Sequence, residues 1–481
     1  MTLEAPTYLA SLQNNIRQRP IPWDGAVRSG LVTDDQLALI RAVDRAKKSE
    51  AKKSAIENDL DGYTTLFAGN RAASRPSVLE TAAKQPAMVQ YLLVLLSDII
   101  ECAPSFAKSL LRSDEPYQSF RPLLGHSKTL DDPIPLLTSK VLTSIMAAAR
   151  DESAATQQTL PQTFTYLSSL IASNDASKQD IGVQQFSTAL YSRKTRQQFW
   201  KQRDETVKPL IDILRSAAGV GSQSSTSSLW SGSTNIRSGT DGQLSGGVGL
   251  QLLYHVLLVL WQLSFEASEI GDALDDEYDI VILYTQLLRV SPKEKTSRLI
   301  IATLWNLLEK NQQSLLPTAV LARLPSLLEN LAGRHFTDPD LLEDLASLKE
   351  LLEEYTKTKT TFDEYVAEVN SGHLRWSPPH RNAMFWAENA RKILEYENGV
   401  LPKKMGEIMA KPWDQDKAVL AIACNDIGWL VREAPERRHQ LERLGLKKRV
   451  MELMGETDEN VRWESLRALG GWLKYSFESS K

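Results

Sequence analysis

The stretch LQLLYHVLLVLWQLSF, residues 250–265, contains Leu260-Trp261-Gln262-Leu263, and the pattern recurs 44 residues later as Leu304-Trp305-Asn306-Leu307. Gly428-Trp429-Leu430 likewise recurs 43 residues later as Gly471-Trp472-Leu473. Armadillo and HEAT repeats run about 40 to 47 residues, because a unit of two or three helices cannot bury its apolar face until the next unit stacks on it. Both offsets therefore predict a solenoid of helical repeats, with chance placement of tryptophans in unrelated helices as the alternative.

The spacing of apolar residues supports the same fold class. In LLEDLASLKELLEEY, residues 341–355, apolar residues recur at intervals of one and three, with Glu and Lys on the other face. Thr33 and Gln36 have capping-box spacing ahead of Leu37, which predicts a helix start. Long alternating runs typical of paired strands do not occur in the sequence. We therefore predict an all-α fold, an armadillo- or HEAT-like helical-repeat solenoid.

Length and composition limit the possible classes of protein. The 481 residues correspond to about three domains, or fewer in a repeat protein. A net charge of −4 does not suit a polybasic nucleic-acid binder. Cys102 and Cys424 are too few for a disulfide framework or a zinc site, which indicates a reducing compartment. The N-terminus lacks the pattern of a signal peptide, and the longest apolar run, about a dozen residues, is shorter than the roughly 20 that span a bilayer.

Changes in composition along the chain predict its domains. We expect a large N-terminal repeat domain over residues 1–355, with a disordered Ser/Gly-rich insert at 216–247, and a small C-terminal repeat domain over 362–481. The polar segment between them is the predicted hinge, formed by Thr356, Lys357, Thr358, Lys359, Thr360 and Thr361.

The sequence signatures of catalysis are missing. A phosphate-binding loop, a nucleophile elbow and a His-Glu-x-x-His metal pattern do not occur. His255 lies within the apolar 250–265 stretch and is predicted to be a packed, hydrogen-bonded core residue rather than a metal ligand. We therefore expect no catalytic residues, no metal and no cofactor.

Two features are candidates for protein contacts. Arg432, Arg437 and Arg438 belong to a basic cluster in VREAPERRHQLERLGLKKR, residues 431–449, which suits either an acidic partner surface or a solvated helix face. LRWSPPH, residues 374–380, is predicted to be a turn or an extended connector because of its two prolines. Within it, Trp376 is either a core residue or an interface residue.

Several strings carry a resemblance to a known family. FDEYVAE at 362–368 and LRWSPPH at 374–380 precede Phe385-Trp386 and Glu388-Asn389 with a spacing that resembles the C-terminal domain of the H subunit of the vacuolar proton-translocating ATPase. The resemblance extends to strings at the ends of the chain and in its middle: IRQRPIPWDGAVRSG from Ile16, LQLLYHVLLVLWQLSF from Leu250, VLAIACNDIGWLVREAPERR from Val419 and ENVRWESLRAL from Glu459. The insert at 216–247 and the region from about 45 to 160 depart from it.

The resemblance implies a non-catalytic regulatory subunit, peripheral on the cytosolic face of the vacuolar membrane and not inserted in it. Proteins of this family activate ATP-driven proton pumping in the assembled complex and restrain ATP hydrolysis by the released catalytic sector. The large domain is expected to bind the peripheral stalk, which the E and G subunits form. The small domain is expected to bind the cytosolic part of the a subunit, or the catalytic sector and its central rotor.

The family's inhibitory contact maps to the loop AKPWDQDK, which comprises Ala410, Lys411, Pro412, Trp413, Asp414, Gln415, Asp416 and Lys417. A plain turn between two helices is the alternative. The rival function is an armadillo-type adaptor that binds peptide cargo or trafficking partners. Adaptors for peptide cargo repeat Trp with Asn four residues later on their groove helices. Here the residues four positions after Trp261, Trp305 and Trp429 are Phe265, Glu309 and Glu433, so that pattern is missing.

Overall fold

The computed structural model describes residues 7–46, 48–70, 73, 75–113, 115–150, 152–219, 248–291, 293–357, 361–414 and 416–478. Most of the predicted insert at 216–247, the hinge residues Thr358, Lys359 and Thr360, and the loop residue Gln415 lie outside these ranges. Ser216 and Ala217 are the last residues of a helix, so helical structure extends two residues into the segment predicted to be the insert.

The described residues form helices joined by short connections, and they contain no β-strand, only an isolated bridge between Asn70 and Arg75. The predicted all-α class is confirmed. The helices before the insert are Thr7–Arg17 (α1), Trp23–Arg28 (α2), Asp34–Arg45 (α3), Ser49–Glu57 (α4), Leu60–Ala68 (α5), Val78–Thr81 (α6), Pro86–Cys102 (α7), Pro104–Leu110 (α8), Arg121–Leu124 (α9), Pro133–Ala149 (α10), Ala154–Ile171 (α11), Ala176–Ala189 (α12), Arg193–Lys201 (α13), Arg203–Thr206 (α14) and Lys208–Ala217 (α15).

Fifteen α-helices of the described chain follow the insert, with 3₁₀ turns at Ser264–Glu266, Tyr396–Asn398 and Pro435–Arg437. They are Leu250–Leu263 (α16), Ala267–Tyr278 (α17), Ile280–Val290 (α18), Glu294–Lys310 (α19), Gln312–Leu321 (α20), Leu324–Ala332 (α21), Pro339–Lys357 (α22), Thr361–Ser371 (α23), Pro378–Arg381 (α24), Ala383–Glu395 (α25), Val400–Ala410 (α26), Ala418–Glu433 (α27), Arg438–Arg443 (α28), Leu446–Leu453 (α29) and Glu459–Glu478 (α30).

The described chain divides into two compact units. Of the described residues, the first unit contains those between 7 and 213 and those of 251–266; the second contains those of 214–219, those of 248–250 and those from 267 onward. The described hinge residues Thr356, Lys357 and Thr361 belong to the second unit, where α22 ends at Lys357 and α23 begins at Thr361.

The first unit has a core of aromatic and aliphatic side chains. Phe164, Phe186 and Phe199 pack edge to face, with ring centroids 4.8 to 5.7 Å apart. His255 is buried on α16, and its Nδ1 lies within hydrogen-bond distance of the Asp180 carboxylate. The prediction of a packed, hydrogen-bonded histidine is confirmed. The capping box at Thr33 and Gln36 is also confirmed, since each side chain bonds the other residue's backbone N–H.

In the second unit, hydrogen bonds join helices about one repeat apart in sequence. The Asn311 side chain donates to the carbonyl oxygen of Ala267, 44 positions earlier, at 3.0 Å. The Gln440 side chain donates to the carbonyl oxygen of Leu394, 46 positions earlier, at 3.0 Å. The Arg449 guanidinium donates to the carbonyl oxygen of Met409, 40 positions earlier, at 2.8 Å. These separations of 40 to 46 positions lie on either side of the sequence offsets of 43 and 44.

The two Gly-Trp-Leu strings lie where α27 and α30 approach each other closely. A Cβ atom added at Gly428 would lie 3.1 Å from the Cα of Ala468, and one added at Gly471 would lie 3.4 Å from a side-chain carbon of Val431. Trp429 and Trp472 are both almost fully buried. The recurrence therefore reflects equivalent positions in packed helices, and the helical-repeat interpretation is confirmed.

One helical stretch of the described chain, Leu250–Tyr278, is long and apolar enough to cross a bilayer, although 61% of its most apolar window is buried inside the protein. The helices Pro86–Cys102 and Pro104–Leu110 are bent by 114° relative to each other. They are long and apolar enough to cross a bilayer only if the two are counted together as one span. Core helices of soluble proteins also meet these criteria.

Candidate functional site

The loop between α26 and α27 is built on a buried tryptophan. Trp413 is 1% exposed, and its indole Nε1 donates to the carbonyl oxygen of Ile408 at 2.7 Å. Its φ of +49° places the backbone in the left-handed region, which a non-glycine residue adopts at a cost. Trp413 is therefore an anchor that holds the loop to the core, and its ring is not available on the surface.

The surface of this loop is formed by its other residues. Ala410, Lys411, Pro412 and Asp414 are exposed. The Lys417 ammonium fixes the far end of the loop, because it donates to the carbonyl oxygen of Pro412 at 2.9 Å and pairs with Glu456 at 2.8 Å. The loop thus presents a short exposed segment that is held at Trp413 and Lys417.

The connector LRWSPPH is extended only up to Ser377. Pro378 and Pro379 begin the short helix α24, because the first turn of a helix needs no N–H donors from its residues. The expectation of a turn or extended connector was therefore wrong for its last three residues. Trp376 is half-buried against the core of the second unit, with the Arg381 guanidinium 5.0 Å from its ring centroid.

The connector ends in a buried charged network centred on His380. The imidazole is fully buried, with Nδ1 2.8 Å from both carboxylate oxygens of Asp426 and Nε2 3.1 Å from the Glu368 carboxylate. Burial disfavours the imidazolium, but the Asp426 charge and the hydrogen bonds to both carboxylates outweigh burial and raise the pKa of His380 to about 10. The imidazole is therefore positively charged at neutral pH.

Further donors satisfy the two carboxylates. Asp426 accepts from the Tyr365 hydroxyl at 3.3 Å and from the Asn425 amide at 3.1 Å. Glu368 accepts from the backbone N–H of Arg375 at 2.6 Å and from the Ser377 hydroxyl at 2.7 Å. The network joins α23, the connector, α24 and α27. Since its three charged groups are buried and bonded to one another, it holds these elements together and leaves no reactive group facing solvent.

Sequence reasoning missed this network. Glu368, His380 and Asp426 lie inside the strings that carry the family resemblance, but the histidines were compared only with metal-binding patterns. The separation of 46 positions between His380 and Asp426 is close to one repeat. That separation was the available signal for their contact.

The basic cluster is largely paired within the chain. The Arg432 guanidinium lies 3.5 Å from the Trp429 ring centroid and 3.0 Å from the Glu433 carboxylate. Arg437 pairs with Glu395. Arg438 is half-buried at the start of α28. Two of the three side chains, Arg432 and Arg437, thus have a carboxylate partner within the chain.

One cavity of the second unit is acidic. It measures about 800 Å³, and carboxylates of α17, α23 and α26 line it together with Lys404 and Lys411. Burial raises the pKa of Asp275, one of these carboxylates, to about 7. The hydrogen bond that its carboxylate accepts from the backbone N–H of Val281 acts in the opposite direction and lowers the pKa. Among the described residues, no group of three or more His, Cys, Asp or Glu side chains is placed to hold a metal ion.

These features define a class of protein: an all-α helical-repeat protein in which buried charged groups, such as those of the His380 network, join helices. Two family models match the chain, both for the H subunit of the V-ATPase, one over residues 7–352 and the other over residues 358–477. The chain belongs to the V-ATPase H-subunit family.

Relatives in other organisms agree with this family. The V-type proton ATPase H subunit of Drosophila melanogaster is 34% identical over 49% of this chain and 50% of the relative's length. The first of two probable V-type proton ATPase H subunits of Caenorhabditis elegans is 33% identical over 46% of this chain and 49% of its own. These two matches thus span about half the length of each relative. A probable H subunit of Oryza sativa subsp. japonica is 24% identical over 94% of both chains.

Solved structures with similar chain traces include an engineered protein at a TM-score of 0.41 and 12% identity, covering 98% of this chain and 96% of the other. A designed armadillo repeat protein matches at a TM-score of 0.27 and 13% identity, covering 64% and 99%.

The His380 network makes a pH-dependent contribution to stability. We expect H380Q to lower the free energy of unfolding by about 3–5 kcal/mol at pH 6, because it leaves buried carboxylates without their cation. The folded-state pKa is about 10, above the unfolded value of 6.5, so the stabilisation is complete below pH 6.5 and is lost as the pH rises toward 10. Urea unfolding at pH 6 and pH 9.5 checks this.

The matched control is H439Q, since His439 is exposed and pairs with Glu442 on the surface. We expect it to change stability by less than about 0.5 kcal/mol at either pH. A destabilisation by H380Q that is equal at pH 6 and pH 9.5 would contradict a charged histidine in the network.

Proposed function

We propose that this chain is a non-catalytic regulatory subunit of the peripheral catalytic sector of a vacuolar-type proton pump. It activates ATP-driven proton transport in the assembled complex and inhibits ATP hydrolysis by the released catalytic sector. The observation that carries the proposal is the pair of H-subunit family models, which together match residues 7–352 and 358–477.

The proposed partners follow the two family domains. The N-terminal domain binds the peripheral stalk that the E and G subunits form, and the C-terminal domain binds the cytosolic part of the a subunit or the catalytic sector and its central rotor. The complex places the chain on the cytosolic face of the vacuolar membrane. Stacked helical repeats support such a role because they present long continuous surfaces to protein partners.

A non-catalytic role is supported by the placement of the strongest charge cluster. His380, Asp426 and Glu368 would be the natural acid–base candidates, but all three side chains are at most 1% exposed. A general acid or base must lie within hydrogen-bond reach of its substrate. These residues instead hold the connector in place.

The proposed movement of the C-terminal domain uses the hinge at residues 356–361. Its described residues lie at helix ends. Thr356 and Lys357 are the last two residues of α22, and Thr361 is the first residue of α23. Residues at the ends of helices can absorb the backbone rotation of a hinge without breaking hydrogen bonds inside a helix.

Inhibition of the released sector is assigned to the loop of residues 410–417. Its exposed residues make the contact with the rotor, while Trp413 keeps the loop in position from below. Contacts that hold a loop before binding reduce the conformational entropy it loses on binding, and those of Trp413 and Lys417 suit a contact that must resist rotation.

The function is tested by removing the chain from purified pump preparations and adding it back. We expect proton pumping to rise on addition, because the chain couples the catalytic sector to the membrane sector. Proton uptake into vesicles and ATP hydrolysis are measured in parallel on the same preparation. If neither rate changes on addition, the assignment is wrong.

The loop is tested with the triple variant K411A/P412A/D414A. We expect it to lose inhibition of ATP hydrolysis by the released sector while it still restores pumping, since exposed side chains are removed and Trp413 stays. The control K404A/E407A removes an exposed ion pair from the neighbouring helix α26 and should inhibit like the wild type. Full inhibition by the triple variant would contradict the assignment of this loop.

A further inference from the structure

One ion pair joins the two parts of the chain that the family models match. His373, in the connector after α23, lies in the C-terminal match, and Asp279, between α17 and α18, lies in the N-terminal match. The imidazole Nε2 lies 2.9 Å from the Asp279 carboxylate, and the two side chains are only 5% and 15% exposed. A buried carboxylate that loses its cation is left with an uncompensated charge. This contact therefore depends on the proton that gives His373 its charge.

The Asp279 carboxylate is turned away from the helix that it precedes. Asp279 occupies the N-cap position of α18, where an aspartate normally accepts backbone N–H groups of the first helical turn. It makes no such bond, and its φ of +54° lies in the sparsely populated left-handed region. Asp275 instead accepts the N–H of Val281, at 3.0 Å. Because Asp275 caps the helix, the Asp279 carboxylate is available to His373.

Both side chains line the acidic cavity of about 800 Å³, and the charges on its two sides differ. The side formed by α17 and the turn after it carries five carboxylates, those of Asp272, Asp275, Asp276, Glu277 and Asp279. The side formed by α23, the connector and α26 carries two carboxylates and three groups that can be cationic, namely Asp363, Glu407, Lys404, Lys411 and His373. The other titratable residues of the lining are Tyr355 and Tyr396, and those contributed by α20 are uncharged. A proton on His373 therefore places a net positive side opposite a negative one.

His373 also contacts the anchor of the 410–417 loop. Its ring packs edge to face on the Trp413 indole, with ring centroids 5.8 Å apart. The Lys411 ammonium lies 5.6 Å from the centroid of the same indole. Ile408, whose carbonyl oxygen accepts the indole N–H, lines the cavity together with Lys411. A change in the charge or position of His373 therefore acts directly on the residue that holds the loop.

We propose that His373 and Asp279 form a proton-controlled clasp between the two matched regions. In the closed state, which is the arrangement described here, a charged His373 binds Asp279 and supports Trp413. When His373 loses this charge and Asp275 ionises, the clasp opens, the cavity widens and the loop loses part of its support. The clasp is a property of the chain alone, and only its effect on inhibition rests on the proposed function.

Asp275 determines the direction in which pH acts on the clasp. Burial raises its pKa to about 7 against the hydrogen bond from Val281, with smaller contributions from the charges of Asp279 and Asp276. In the open state, where the carboxyl is exposed, it ionises near its ordinary pKa of 3.8. Between these two values the closed state holds a proton that the open state lacks, so acid closes the clasp and a rise in pH through 7 opens it. From pH 6 to pH 8 this carboxyl alone raises the ratio of open to closed molecules about tenfold.

Hydrogen exchange of the purified full chain, followed by mass spectrometry, measures the opening. Peptides covering residues 267–281, 361–377 and 400–414 are compared at pH 6 and pH 8 as protection factors, which correct for the effect of pH on exchange itself. We expect the protection factors of the wild type to fall at least about tenfold between pH 6 and pH 8. A peptide from α7, in the first unit, should not change, which distinguishes opening of the clasp from unfolding of the whole chain.

Two variants should shift the clasp in opposite directions. H373Q keeps a side-chain N–H donor but cannot carry the charge, so we expect it to lower the protection factors at pH 6 at least about tenfold. D275N cannot ionise, and its amide oxygen can still accept the Val281 N–H, so we expect it to raise the protection factors at pH 8 at least about tenfold over the wild type. The control H439Q, at an exposed histidine, should behave like the wild type at both pH values.

Equal protection of the wild type at pH 6 and pH 8 would overturn the inference, because a pair with only a packing role gives no pH dependence. A fall in protection for both H373Q and D275N would overturn it as well. The measurement uses the chain alone, so its result does not depend on the pump. If the chain fails to inhibit the released catalytic sector, the proposed function is wrong, and the exchange data still decide whether the clasp exists.

Discussion

Burial of the apolar helix faces is the constraint on which the structure depends, because no repeat of two or three helices covers its own apolar side. The apolar side of each repeat is covered by helices about 44 positions away in the sequence. Bonds at this separation recur in the second unit, from Asn311 to Ala267 and from Gln440 to Leu394. Where two helices come closest, glycines such as Gly428 and Gly471 remove the side chain that would separate them.

Polar groups fix the register of this stack. The Glu294 carboxylate accepts the backbone N–H groups of Thr337 and Asp338, 43 and 44 positions later, just before α22 begins. These bonds lower the pKa of Glu294, as expected for a carboxylate that receives several donors. The His380 network does the same for the connector between α23 and α24. Apolar burial thus supplies the driving force, and a few bonded charges select one arrangement of helices.

The sequence was enough to predict the helical repeats, because the offsets of 43 and 44 are a periodic pattern and the capping box at Thr33 is a local one. It was not enough to predict the His380 network, whose members come from three helices and meet only after folding. Trp413 also shows a limit of prediction from sequence. A tryptophan in a polar loop resembles a contact residue, but its indole is bonded to the backbone of α26 and lies in the core.

A stack anchored in this way suits the proposed role of a part that transmits or resists force between larger bodies. The most direct test of this account titrates purified catalytic sector with the full chain while ATP hydrolysis is followed, with the chain alone in parallel. The account predicts that the chain alone has no turnover and that hydrolysis by the sector falls to a plateau at one chain per sector. Hydrolysis by the chain alone, or an unchanged rate at saturation, would contradict it.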